Sequence, residues 1–211
     1  MNSIKASWFG ILGVIFFVTA SILGGLQISS YSHISQLISE SYAIGTTYGV
    51  HLRYFVFIPS GILIALFAFF AVKSLPKSKL TLIGFLGIGI FYGIATIIVS
   101  LFPCDKGCDK ELVDPSLSQL IHNLTGLLTY MIVPICLIIV GIAARKWIDA
   151  KHVSYVSIIC GLTAMLFVGI LSSDLQSKFV GLYQRIVEGS ILAFIIICSF
   201  YFRSLHKTDN R

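Results

Sequence analysis

Six stretches of about 20 residues each, nearly devoid of charge, constrain this chain more than any other feature. They fall at 8–28, 54–72, 80–102, 124–144, 153–172 and 186–202, and Glu188 is the only Asp, Glu, Lys or Arg inside them. A helix of about 20 apolar residues crosses about 30 Å of hydrocarbon, so each stretch is long enough to span a bilayer. Composition agrees: 56% of the 211 residues are hydrophobic and 11% are charged, against roughly 25% charged in soluble domains. A closed barrel would need strict alternation, which runs this continuous lack. The expected fold is all-α, a single six-helix transmembrane bundle over residues 1–211. Its helices should cover about 8–28, 54–72, 80–102, 115–144, 153–172 and 186–202.

Lys and Arg set the expected orientation. If six helices alternate, Lys5, Lys73, Lys77, Lys79, Arg145, Lys146, Lys151, Arg203, Lys207 and Arg211 share one side, ten of the fifteen. The other side holds Arg53, Lys106, Lys110, Lys178 and Arg185 with seven of the nine acids, namely Glu40, Asp105, Asp109, Glu111, Asp114, Asp174 and Glu188. Both termini are therefore expected in the cytoplasm, in a bacterial-type plasma membrane. The net charge of +6 belongs to a cytoplasmic rim and does not argue for nucleic acid. The first apolar run, 21 residues long, exceeds the roughly 7–15 of a signal-peptide core and is kept as a helix.

The loop after the third run, "FPCDKGCDKE", then lies outside, where Cys104 and Cys108 are expected to form a disulfide. The alternative, a zinc site, would need two further ligands, and no second cysteine pair exists. The next helix is expected to start with Asp114 as N-cap and Pro115 at its first position. Helical spacing then brings Ser118, His122, Thr125 and Thr129 onto one stripe, which should face the bundle interior because lipid offers it no partner. On the third run Tyr92, Thr96 and Ser100 recur every fourth residue. Gly89 and Gly93 lie one face round and would let another helix approach, within the chain or in a second copy of it. Gln184, Arg185 and Glu188 mark the start of the sixth helix. In the first outer loop, Ile34, Leu37 and Ile38 suit a short interfacial helix over about 32–42. Glu40 there is either solvated or a lid residue, and Arg53 sits at the mouth of the second helix.

"YSHISQLISESYA" after the first helix, "LFPCDKGC" at the exit of the third, and His122 together resemble the six-helix bacterial and archaeal membrane family known as domain of unknown function 998. Lys106 stands where that family has proline after the aspartate. A more distant likeness links the chain to Frag1/Sfk1-type membrane proteins, whose roles concern membrane lipids. The resemblance implies fold and topology but no activity.

Three classes of function follow. The first is binding of a membrane lipid headgroup or other small amphiphile in an outward-facing polar cavity, with Tyr92, Thr96, Ser100, His122, Thr125, Thr129, Arg185, Glu188, Glu40 and Arg53 as ligand-binding candidates. His122, Arg53 or Arg185 would hold phosphate. The second is a membrane-embedded lipid hydrolase or transferase using His122 with an acidic partner, with Ser118, Glu188 and Asp105 as further catalytic candidates. The third is a small-solute transporter or a non-catalytic scaffold, in which the same hydroxyls only join helices. No metal or cofactor motif is present: G-x-S-x-G, H-E-x-x-H, Walker and dinucleotide patterns are all missing.

Overall fold

Backbone groups in hydrocarbon must be satisfied within their own segment, and all six apolar stretches achieve this as helices in the computed structural model, which describes residues 2–108 and 112–209. The helices are α1 (Asn2–Leu26), α2 (Gly49–Ser74), α3 (Lys79–Leu101), α4 (Leu117–Ala144), α5 (Lys151–Ser173) and α6 (Val180–Asp209). Among the described residues there is no strand. Asp109, Lys110, Glu111 and Arg211, which enter the charge balance above, lie outside the described residues.

Consecutive helices pack side by side, and α1 closes on α6, so the six form a ring in chain order. Its interior at the end carrying the termini is aromatic: Phe67, Phe85, Phe194 and Phe202 are fully buried, and Trp147 stacks between Phe85 and Tyr201. Leu and Ile side chains such as Ile15, Ile83, Ile159 and Leu166 point outward, as a lipid-facing surface requires.

Several helices outrun their apolar cores. α1 begins at Asn2 and α6 at Val180, six residues before each expected start, and α2 begins at Gly49. No proline stops these helices at the ends of their apolar runs, so they continue into the more polar residues beyond. α2 and α3 each contain one π-helical turn, Arg53–Phe57 and Gly89–Ile94. Such turns recur at functional sites because they break the regular spacing of side chains.

The start of α4 differs from expectation. Ser116 rather than Asp114 is the N-cap, its Oγ accepting the Gln119 N–H at 3.1 Å, and the helix begins at Leu117. Asp105 decides this, since its carboxylate takes the Ser116 N–H at 2.9 Å and the Ser116 hydroxyl at 2.6 Å. Those bonds, the hydroxyl first and the backbone second, hold the Asp105 carboxyl below its ordinary range. A depressed folded-state pKa contributes stability that is present above the unfolded value of about 3.9 and is lost as pH falls through the folded value. Hydrogen exchange at the Ser116 and Gln119 amides, corrected for intrinsic rate, is therefore expected to be slow near about pH 6 and faster near about pH 2.5. Asp105→Ala should exchange quickly at both.

The interfacial helix expected over 32–42 shrinks to a short 3₁₀ helix, Ile38–Tyr42. Side chains capture the backbone groups that a longer helix would use: Gln36 Oε1 accepts the Ser32 N–H, Glu40 Oε1 accepts the Leu37 N–H, and Gln184 Oε1 from α6 accepts the Ile38 N–H at 2.6 Å. This competition between polar side chains and helix is general.

Cys104 and Cys108 form a disulfide, with Cα atoms 4.9 Å apart. The Cys104 carbonyl accepts the Ile44 N–H, which ties this loop to the one after α1. Closing so short a loop is worth about 2 kcal/mol in the chain-entropy treatment. Thermal unfolding with and without reductant should differ by no more than that.

Candidate functional site

At the disulfide end the ring does not fill its interior. A cavity of about 440 Å³ remains, walled by Phe17 of α1, Phe57 of α2, Tyr92 and Thr96 of α3, His122, Thr129 and Tyr130 of α4, and Gln184 and Glu188 of α6. The 3₁₀ segment supplies its roof through Leu37, Ile38, Ser39 and Tyr42.

Glu188 is the chemical centre. It is 8% exposed, and each carboxylate oxygen accepts one phenol: Tyr92 donates to Oε2 at 2.7 Å and Tyr130 to Oε1 at 2.8 Å. Gln184 Nε2 donates in turn to the Tyr130 oxygen at 3.0 Å. A continuous hydrogen-bonded path thus runs from the roof, at the Ile38 N–H, through Gln184 and Tyr130 to Glu188. The π turn of α3 contains Tyr92 and that of α2 ends on Phe57, so both irregular turns abut the cavity.

The other polar groups are settled mostly by their own neighbours. Thr96 and Thr129 donate to the carbonyls of Tyr92 and Thr125, four residues back, which leaves their oxygen lone pairs as acceptors. His122 Nδ1 lies 3.0 Å from the Phe102 carbonyl and 3.3 Å from that of Val99. Two acceptors at one ring nitrogen assign the proton to Nδ1, and in the neutral ring Nε2 is then an acceptor.

The sequence-derived candidates thus divide. Tyr92, Thr96, His122, Thr129 and Glu188 line the cavity together. Ser100 is buried but bonds the Thr96 carbonyl, and Thr125 is half-buried. Ser118, expected to share a face with His122, instead donates to the Pro103 carbonyl at 2.6 Å. Serine and histidine both cap the end of α3 and do not bond each other. Asp105 serves the α4 cap, and Glu40 binds within the roof segment, to Leu37 and Gln36.

The two arginines expected to meet phosphate are turned to loop backbone. Arg185 donates to the carbonyls of His33, Gln36 and Gly181 and to the Tyr31 hydroxyl. Arg53, 9% exposed, donates to the Tyr42 carbonyl at 2.7 Å. Among the described residues, no lysine or arginine lines the cavity. Among them also, no three His, Cys, Asp or Glu side chains gather as a metal site would require.

Sequence reasoning missed Phe17, Tyr42, Phe57, Gln119 and Tyr130. Tyr130 had a usable signal: a phenol in the middle of an apolar run needs a buried partner, and Glu188 is the natural one. Gln119, 1% exposed, accepts the Asp105 N–H and donates to Asn123. It lies three residues before His122 and turns the inward stripe of α4 slightly from the one expected. Gly89 and Gly93 meet Ala68 and Ala65 of α2. That face, expected to admit another helix within the chain or in a second copy, takes α2 of the same chain.

No curated protein and no solved structure matches the chain significantly. A family model described as "Protein of unknown function (DUF998)" matches residues 11–201, which reaches into all six helices and includes every side chain that walls the cavity. The match bears on that family alone and shows no likeness to the Frag1/Sfk1-type proteins. The chain belongs to the DUF998 family of multi-pass helical membrane proteins.

Proposed function

We propose that this protein binds a membrane amphiphile, placing the polar end in the cavity beside Glu188 and leaving the apolar chain in the bilayer. One observation carries the reading: a buried carboxylate held by two phenols faces about 440 Å³ of open space instead of a protein cation. Ionisable groups within spans are functional candidates by default, and a largely apolar cleft with a few convergent polar groups is the usual form of a ligand site.

The route in supports a ligand from the bilayer. Leu127 of α4 and Leu175 just beyond α5 line the cavity and are 54% and 44% exposed, so it reaches the surface along the α4–α5 seam. A Cβ added at Gly126, which lines the cavity on the α4 side, would meet nothing within 4 Å. At the other half of the same pair, Cβ atoms at Gly141 and Gly161 would lie 2.9 Å and 2.8 Å from opposing carbonyls. The two helices are closed toward the termini and open toward the disulfide.

We assign the cavity to the outer leaflet. The terminal end carries Lys5, Lys73, Lys77, Lys79, Arg145, Lys146, Lys151, Arg203 and Lys207, which favours the cytoplasm, and a disulfide favours the opposite side. A cysteine placed at Lys178 should react with a membrane-impermeant maleimide added to intact cells, and one at Lys77 should not. The reverse pattern would invert the topology.

Lipid retained through purification tests the binding reading. Wild-type protein in neutral detergent should carry an amphiphile detectable by native mass spectrometry, and Glu188→Gln should carry at least tenfold less. Equal retention by both would reject Glu188 as the anchor.

A further inference from the structure

Tyr42, Ser39, Ser172 and Asn123 add hydroxyl and amide donors elsewhere on the wall, but the groups closest in role to Glu188 are unbalanced in a way that selects the ligand's headgroup. The hydroxyl hydrogens of Tyr92, Tyr130, Thr96 and Thr129, and the Nδ1–H of His122, all point to protein oxygens. What these groups leave toward the open space is acceptor capacity: the remaining lone pairs of the Glu188 carboxylate, those of the two threonine oxygens, and His122 Nε2. An anionic phosphate would meet a carboxylate with, among the described residues, no lysine or arginine on the cavity wall, and like charges in a low dielectric repel strongly.

Around this acceptor set stands an aromatic wall. Phe17 lies 5.9 Å from Tyr92 and 5.5 Å from Phe57 between ring centroids, and Tyr42 lies 4.6 Å from Phe57. All four rings are buried and line the cavity, as does Tyr130. Ring faces attract cations, and an aromatic cage with a carboxylate is the arrangement that recognises ammonium groups. A buried carboxylate bonded to two phenols but to no cation remains costly. A cation brought by the ligand relieves the remaining cost, and among the described residues no cationic side chain on the cavity wall does so.

We infer that the amphiphile carries a primary ammonium headgroup, its N–H donors directed to Glu188, Thr96 and Thr129 and its charge enclosed by Phe17, Tyr42, Phe57, Tyr92 and Tyr130. This inference rests on the amphiphile reading above and names its ligand class.

Four probes in a maltoside detergent test it: dodecylammonium, the neutral dodecylglycerol, the anionic dodecyl phosphate, and ethylammonium, which lacks the long chain. Binding is read by calorimetry on the full-length protein. Dodecylammonium is expected to bind at least tenfold more tightly than the neutral and anionic probes. Glu188→Gln should remove that preference, and Phe17→Leu should reduce it about threefold to tenfold through the cage alone. Tyr92→Phe, which keeps the ring and removes one phenol bond, guards against a result caused by misfolding of the glutamine variant. If dodecylglycerol or dodecyl phosphate binds as tightly and Glu188→Gln changes nothing, the ammonium assignment is overturned while amphiphile binding stands. If ethylammonium binds as tightly as dodecylammonium, the headgroup is right and the membrane amphiphile is wrong. If none of the four binds, both are overturned.

Discussion

Glu188→Ala is expected to destabilise the bundle by about 2–4 kcal/mol, and Glu188→Gln by less than about 1 kcal/mol. The alanine variant leaves the Tyr92 and Tyr130 hydroxyls buried without their acceptor. Orphaned buried donors cost about 1–3 kcal/mol each in water-soluble proteins. Interhelical polar contacts in bilayers average about 0.6 kcal/mol and reach about 1.7, which places the sum toward the middle of the combined range. Glutamine keeps an oxygen for one phenol and offers an N–H to the other phenol's oxygen, so it preserves the junction of α3, α4 and α6 while removing the charge. The pair of variants therefore separates architecture from recognition. Thermal unfolding in detergent should fall clearly for alanine and little for glutamine, whereas ligand retention should fall for both. Equal destabilisation by the two would mean that the charge itself, and not the hydrogen-bonded junction, holds the helices.

Gly93→Val is expected to cost at least about 3 kcal/mol, at or beyond the usual upper end for overpacking. A Cβ at Gly93 would stand 2.7 Å from the Ala65 nitrogen, and one at the facing Gly61 would stand 2.6 Å from the Gly93 carbonyl. Both obstacles are backbone atoms, which no rotamer change can move, so α2 and α3 would have to separate. Gly93 belongs to the π turn that carries Tyr92, so the same variant should also weaken the Glu188 contact and lower ligand retention. Gly126→Ala is the control. Its Cβ would enter open space, and the gain in helix propensity of about 0.5–1 kcal/mol should leave stability unchanged or slightly raised. A Gly93→Val protein as stable as wild type would refute the close packing of α2 on α3.

Membrane architecture was legible in the sequence because hydrocarbon permits so few backbone solutions. A run such as 124–144, with no charge, has no soluble alternative of comparable stability, and α4 spans it. The pairing of Cys104 with Cys108 was legible for a similar reason, since few partners were available. Local spacing carried less information about the site. Ser118 and His122 are one turn apart, yet each is claimed by a different carbonyl at the end of α3, a tertiary contact that helical periodicity does not encode. Arg53 and Arg185 showed the same limit: both guanidinium groups bond loop carbonyls, although the buried Nε of Arg53 is left without a partner among the described residues. The aromatic wall was invisible beforehand because Phe17 and Phe57 are unremarkable members of apolar runs until the ring of helices brings them within 5.5 Å of each other.

The central claim is that the space beside Glu188 holds the polar end of a bilayer amphiphile. A density map of the protein in lipid nanodiscs tests it most directly. The expected map shows elongated density with one end within about 3.5 Å of the Glu188 carboxylate and the other leaving between α4 and α5 past Leu127. A cavity closed by collapsed side chains, or filled only by isolated water-sized peaks with the α4–α5 seam shut, would contradict it.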